Sequence, residues 1–94
     1  MNEQELRQSL DEYGVPDHMH GGITRYILQG IPPGDFLTAV ICNDLMNALG
    51  RADDINREAL FSFVNWFYNV APTDCWKSKK NMQDWIEAHR EVPQ

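Results

Sequence analysis

The chain has 94 residues, with 14 acids against 8 lysines and arginines and a net charge of −6. That charge argues against generic binding to phosphate backbones. A 43% apolar and 11% aromatic composition supplies one buried core and excludes a disordered tail. No run approaches the roughly 18 apolar residues of a membrane span. The start, Met1 to Leu6, lacks a signal-peptide pattern, so a cytoplasmic protein is expected. Cys42 and Cys75 lie far apart without metal-type spacing and are expected as free thiols.

Residues 2–13 place Leu6, Leu10 and Tyr13 on one narrow edge of a short helix, which Tyr13-Gly14-Val15-Pro16 breaks. Pro16 opens a second helix with Met19, Ile23, Tyr26 and Ile27 in a stripe and Gly30 as its stop. The Gly21-Gly22 pair costs that helix about 1 kcal/mol per glycine. Either the helix begins after the pair or a neighbouring backbone passes close to it. Ile31-Pro32-Pro33-Gly34 is a stiff connector to a third helix from Asp35 to about Leu49, closed by Gly50.

The stretch from Asp53 to Val70 reads as one central helix. Asp53 and Asp54 supply the acceptors and charge of a helix start, and Pro72 prevents its continuation. Ile55, Ala59, Leu60, Phe63, Val64, Trp66, Phe67 and Val70 cover about half its circumference, and Phe61 and Tyr68 widen that face. Such a helix needs enclosure by other helices or by a second molecule. After a loop, Ser78 caps a last helix carrying Met82, Trp85, Ile86 and His89 on one side.

The candidate functional residues fall at two places. On a continuous third helix, Asp44 projects beside Leu37 and Ala48, on the buried face. A carboxylate there is either a structural acid bonded to Arg25, Arg51, Arg57, a Trp N–H or a helix start, or the floor of a ligand pocket; helix rotation would instead expose it. As a structural acid, Asp44→Ala would cost on the order of 3 kcal/mol. Asn43 and Asn47 flank it. The second place is Trp76-Lys77-Ser78-Lys79-Lys80, the one basic cluster. It is either a solvated answer to the acidic first sixty residues or a basic-aromatic contact for an acidic partner, including a second copy.

Other chemistries are poorly supplied. His18 and His20, two apart on a helix, point in different directions and His89 is distant, so no metal or other cofactor is expected. There is no glycine-rich phosphate loop, nucleophile elbow or paired-carboxylate motif, and an enzyme is not the expected reading. A helix-turn-helix reader fails on charge, because the third helix offers Thr38, Ala39, Asn43, Met46 and Asn47 without a lysine or arginine. An acidic DNA mimic is the converse idea, although the acid content is ordinary.

Gly-Ile-Pro-Pro-Gly-Asp-Phe-Leu-Thr-Ala-Val-Ile-Cys-Asn-Asp-Leu from Gly30 to Leu45, then Arg51-Ala52-Asp53-Asp54-Ile55-Asn56, Tyr68-Asn69-Val70-Ala71-Pro72 and Cys75-Trp76, resembles a family of small bacteriophage and prophage proteins. The resemblance covers roughly residues 21–86. In that pattern glycine more often follows the tryptophan, where this chain has Lys77. The resemblance implies an accessory gene working in the host cytoplasm and brings no catalytic residues with it.

The expectation is therefore an all-α, single-domain bundle of four to five helices. Its expected core is Leu37, Val40, Ile41, Leu45, Ile55, Ala59, Phe63, Trp66, Phe67, Met82, Trp85 and Ile86. The expected function is non-catalytic binding of a host or phage protein, with counter-defence as one use. Asp44, Asn43, Asn47, Trp76, Lys77, Lys79 and Lys80 are the contact candidates, and a homodimer would cover the central helix. The rival is a small-ligand protein or enzyme with a pocket acid at Asp44.

Overall fold

The computed structural model describes residues 1–90. Among them lie seven α-helices, one 3-10 turn and no strand: α1 (Glu3–Glu12), α2 (Asp17–Gln29), α3 (Asp35–Ile41), α4 (Leu45–Arg51), α5 (Asp54–Glu58), α6 (Leu60–Asn69), the turn Thr73–Cys75, and α7 (Lys79–Arg90). The all-α expectation holds, but four to five helices become seven. Two segments that read as continuous are each broken in the middle.

The first two helices follow their sequence signals. Asn2 caps α1 by accepting the Glu5 N–H at 2.8 Å. The helix ends where Gly14 turns left-handed, with Gly14 N–H donating to the Asp11 carbonyl and Val15 N–H to the Leu10 carbonyl. Val15 and Leu10 are both buried, the apolar contact that accompanies this stop. Helix α2 runs unbroken through Gly21-Gly22. Neither explanation of the pair applies: a Cβ on Gly22 would meet the Leu37 side chain at 3.5 Å, an ordinary contact and not a neighbouring backbone.

The third helix is shorter than its periodicity suggests. Asn43 takes φ +63, and its N–H and that of Asp44 donate back to the Val40 and Ala39 carbonyls. This is a left-handed stop with asparagine in the glycine position. Asp44 then starts α4, accepting the Asn47 backbone N–H at 3.3 Å and its side-chain amide at 2.7 Å. The chain turns at Asn43-Asp44, so α3 and α4 pack on one another. Because α4 turns its small residue inward (Ala48 is 1% exposed), Leu45, expected in the core, is 61% exposed.

The central segment breaks at Ala59. Asp53 caps α5 as expected, accepting the Asn56 N–H at 2.7 Å, but Ala59 adopts ψ 8 and separates α5 from α6. Asn56 takes the inward position on α5, its amide donating to the Met19 sulfur at 3.4 Å. Ile55, one residue and about 100° away, is thereby turned to solvent and leaves the expected core. Val40, Ala59, Trp85 and Ile86 are half-buried around the core, while Leu37, Ile41, Phe63, Trp66, Phe67 and Met82 lie within it.

Residues from the first helices complete that core: Leu6, Leu10, Val15, Ile23, Tyr26 and Ile27 are all buried. Phe36 meets Phe63 edge-on at 5.0 Å, and Trp66 meets Phe67 in the same way. Polar ends of the large aromatics tie distant segments together. Trp66 Nε1 donates to Ser9 Oγ at 2.9 Å, Tyr26 OH to the Cys75 carbonyl at 2.6 Å, and Trp85 Nε1 to the Tyr26 carbonyl at 3.0 Å. The radius of gyration, 12.6 Å, matches the roughly 12 Å of a close-packed chain this long.

Two buried acids make stability depend on alkaline pH. Burial is the main cause in both: it raises the Tyr26 phenol above its ordinary 10.0 and pushes the Cys75 thiol from 9.0 up to about 12. The folded chain keeps these protons where the unfolded chain releases them. Stability is therefore undiminished below about pH 9 and falls as pH rises beyond it, by up to about 1.4 kcal/mol per pH unit for each group. Melting curves from pH 8 to 11.5 should show this decline. Tyr26→Phe should flatten the part above pH 10 while lowering the pH 7 melting point by loss of its hydrogen bond.

Candidate functional site

Two surface features adjoin the α3–α4 corner. The first is a groove of about 670 Å³, open to solvent, between that corner and α7. Pro32, Ala39, Met82 and Ile86 give it apolar walls, and Asp35, Asp44, Arg51 and Lys79 bring charge. Arg51 reaches Asp35 at 3.3 Å across its rim. Both ends of that pair are mostly exposed, so it contributes little to stability.

The groove brings together three of the expected contact residues, Asp44, Asn47 and Lys79. Asp44 is an exposed helix cap, not a buried acid, because the Asn43 turn removes it from the face of α3. The expected 3 kcal/mol loss for Asp44→Ala is replaced by the cost of an exposed cap, about 1 kcal/mol. Asn43 and Asp44 also border a small dimple on the other side of the corner, shared with Leu45, Ala48, Leu60 and Val64.

The basic cluster is divided. Lys80 pairs with Asp84 on its own helix at 2.7 Å. Ser78 caps α7 as expected, accepting the Asn81 N–H at 3.0 Å. Trp76 is half-buried, its ring 6.2 Å from that of Tyr68, and Lys77 Nζ stands 5.6 Å above it. Lys77 itself takes φ +92 while its N–H donates to the Ile41 carbonyl at 2.9 Å. A side chain is strained there and glycine is not. Lys77→Gly should be more stable than Lys77→Ala by about 1 kcal/mol, the reverse of the usual order, in paired urea denaturations.

Both thiols and two of the three imidazoles are buried or half-buried, and His18 is exposed. Cys42 lines the groove with Sγ 3.7 Å from the Met82 sulfur, and burial raises its pKa, outweighing the lowering by Lys79. It is thus held as a thiol, the opposite of an activated nucleophile. His18 lies 3.4 Å from Asp53, His20 is buried 2.7 Å from the Val15 carbonyl, and His89 lies 2.8 Å from the Trp85 carbonyl. Among the described residues no three His, Cys, Asp or Glu side chains form a metal-holding group. No described helix is long and apolar enough to cross a membrane.

The second feature is an exposed apolar face, on a helix expected to be enclosed by other helices or by a second molecule. Helix α6 buries Phe63, Trp66 and Phe67, so Phe61, Val64 and Tyr68 form a stripe on its other side at 77%, 46% and 72% exposure. Leu45 and Leu49 of α4 are exposed as well, and Leu45 meets Val64 at the shared dimple. The signal was present in the sequence: a helix apolar nearly all round has two faces, and only one can point into a single core. The chain matches no protein-family model, no curated protein and no solved structure.

Proposed function

We propose that this chain is a non-catalytic binding factor, an accessory protein of a phage or prophage that acts on a host or phage protein in the host cytoplasm. The observation that carries the reading is the exposed apolar face of α4 and α6. Leu45, Leu49, Phe61, Val64 and Tyr68 stand exposed on these two helices beside a core that is already buried without them. Contiguous exposed apolar surface of this kind marks interaction sites. The corner at Asn43, Asp44 and Asn47, next to Lys79, adds the polar contacts that give such a surface specificity. The phage setting rests on the sequence resemblance, and counter-defence is one use that setting suggests.

The test is capture from host lysate with immobilised protein, comparing the parent with Asp44→Lys and Phe61→Glu. A captured protein that excess soluble parent displaces, and that either variant loses, supports the reading. Failure of the parent to retain any competable protein overturns it. One observation favours the rival small-ligand reading: the groove's volume is in the range of ligand pockets and Asp44 lies on its wall. That reading predicts no macromolecular partner.

A further inference from the structure

We infer that the occupant of the α6 stripe is a second copy of this chain, paired about a two-fold axis with the two α6 helices antiparallel. The inference rests on the reading of this face as a binding surface; it gives the α6 stripe to a second copy and leaves the groove beside Asn47 and Lys79 for the host or phage protein. Area is the first support. Leu45, Leu49, Phe61, Val64 and Tyr68 expose roughly 600 Å² of side chain per copy before any rim residue is counted, against about 800 Å² per partner in a standard interface. A two-fold contact uses the same patch on both molecules and needs no further surface.

Charge sets the direction. The stripe has a net acidic end, where Asp53, Asp54 and Glu58 precede α6, all exposed, against one arginine, Arg57, which lies 3.5 Å from Asp54. Its other end carries a cation: Tyr68 packs against Trp76, and Lys77 stands over that ring, with the exposed Asp74 in the preceding turn. Two copies of charge −6 repel. Parallel pairing would set acid against acid. Antiparallel pairing separates the acidic ends and places Glu58 near the partner's Lys77, twice over. The spacing also fits: Phe61 and Tyr68 lie about 10 Å apart along α6, with Val64 between them, so each Phe61 lies by the partner's Tyr68. This arrangement leaves the Asn47–Lys79 side of the groove outside the contact and presents it once per subunit, with Asp44 at the boundary between the two.

Sedimentation equilibrium over a concentration series tests the assembly, with far-UV circular dichroism and melting to confirm that each variant is folded. The parent should dimerise. Phe61→Glu and Val64→Glu, both at exposed positions, should weaken dimerisation by roughly 100-fold, as loss of a central anchor does. Glu58→Lys and Lys77→Glu should each weaken it about two- to fivefold, and the double exchange should restore it. A parent monomeric at millimolar concentration, or a dimer indifferent to Phe61→Glu and Val64→Glu, overturns the proposal. A double exchange weaker than either single variant overturns the antiparallel order. Lysate capture by a monomeric parent would defeat this inference and keep the proposed function. A dimer that captures nothing would do the reverse.

Discussion

Trp66→Ala should lower stability by about 3–5 kcal/mol, a large part of what a domain of this size possesses. Trp66 is fully buried and packs edge-on against Phe67. Its removal leaves a cavity whose lining already sits among other rings and cannot collapse cheaply. A polar loss adds to this. Trp66 Nε1 donates to Ser9 Oγ, which itself donates to the Leu6 carbonyl at 2.7 Å, so the indole anchors α6 to α1. Trp66→Phe separates the contributions: it keeps most of the volume, loses the N–H, and should cost about half as much or less. Phe61→Ala, on the same helix but 77% exposed, should change stability by no more than about 0.5 kcal/mol. Urea denaturation of the three variants checks the pattern. Equal losses at positions 61 and 66 would mean that α6 does not have one inner and one outer face.

That two-faced helix is also where the sequence was hardest to read. The inner face, Phe63, Trp66 and Phe67, was legible because three large rings at helical spacing must be buried somewhere. Its limits were not, because hydrophobicity says that a residue prefers burial and not whether the fold has room for it. Ile55 lost its place to Asn56 when the chain bent at Ala59, a change that no proline or glycine announces. Glycine stops at Gly14 and Gly30 and the caps at Asp53 and Ser78 follow from local chemistry and were readable. The break at Asn43-Asp44 uses the same chemistry in less obvious form, asparagine for the left-handed stop and aspartate for the next cap, inside a pattern that otherwise continues for four turns. Missing it moved Asp44 from an exposed cap to a supposed interior acid, and Leu45 from the surface to the core. The groove could not be seen in advance, since Asp44, Asn47 and Lys79 meet only when α7 returns to the corner.

Gly30→Ala is expected to destabilise the chain by roughly 2–4 kcal/mol, a large effect for a single methyl group. The first part is conformational. Gly30 ends α2 at φ +66, where a Cβ crowds its own backbone at a cost of about 1 kcal/mol or more. The second part comes from α7. A Cβ at Gly30 would stand 2.5 Å from His89 Cβ and 2.8 Å from its Cγ, closer than carbon atoms approach. The helix cannot simply retreat, because Trp85 Nε1 is bonded to the Tyr26 carbonyl one turn earlier and Met82 is in the core. Overpacking of this kind costs about 1–3 kcal/mol. A double-mutant cycle with His89→Gly divides the two parts, since removing the His89 Cβ relieves the clash and leaves the left-handed strain. The coupling should then be about 1–3 kcal/mol, with Gly30→Ala costing only about 1 kcal/mol in the His89→Gly background. Gly22→Ala gives the opposite sign on the same helix. Its new Cβ makes only an ordinary contact with Leu37, and a glycine in a helix interior gives up about 1 kcal/mol relative to alanine, so that variant should melt above the parent. If Gly30→Ala were neutral, α7 would not rest on the end of α2 and the groove between α7 and the α3–α4 corner would lose one of its walls.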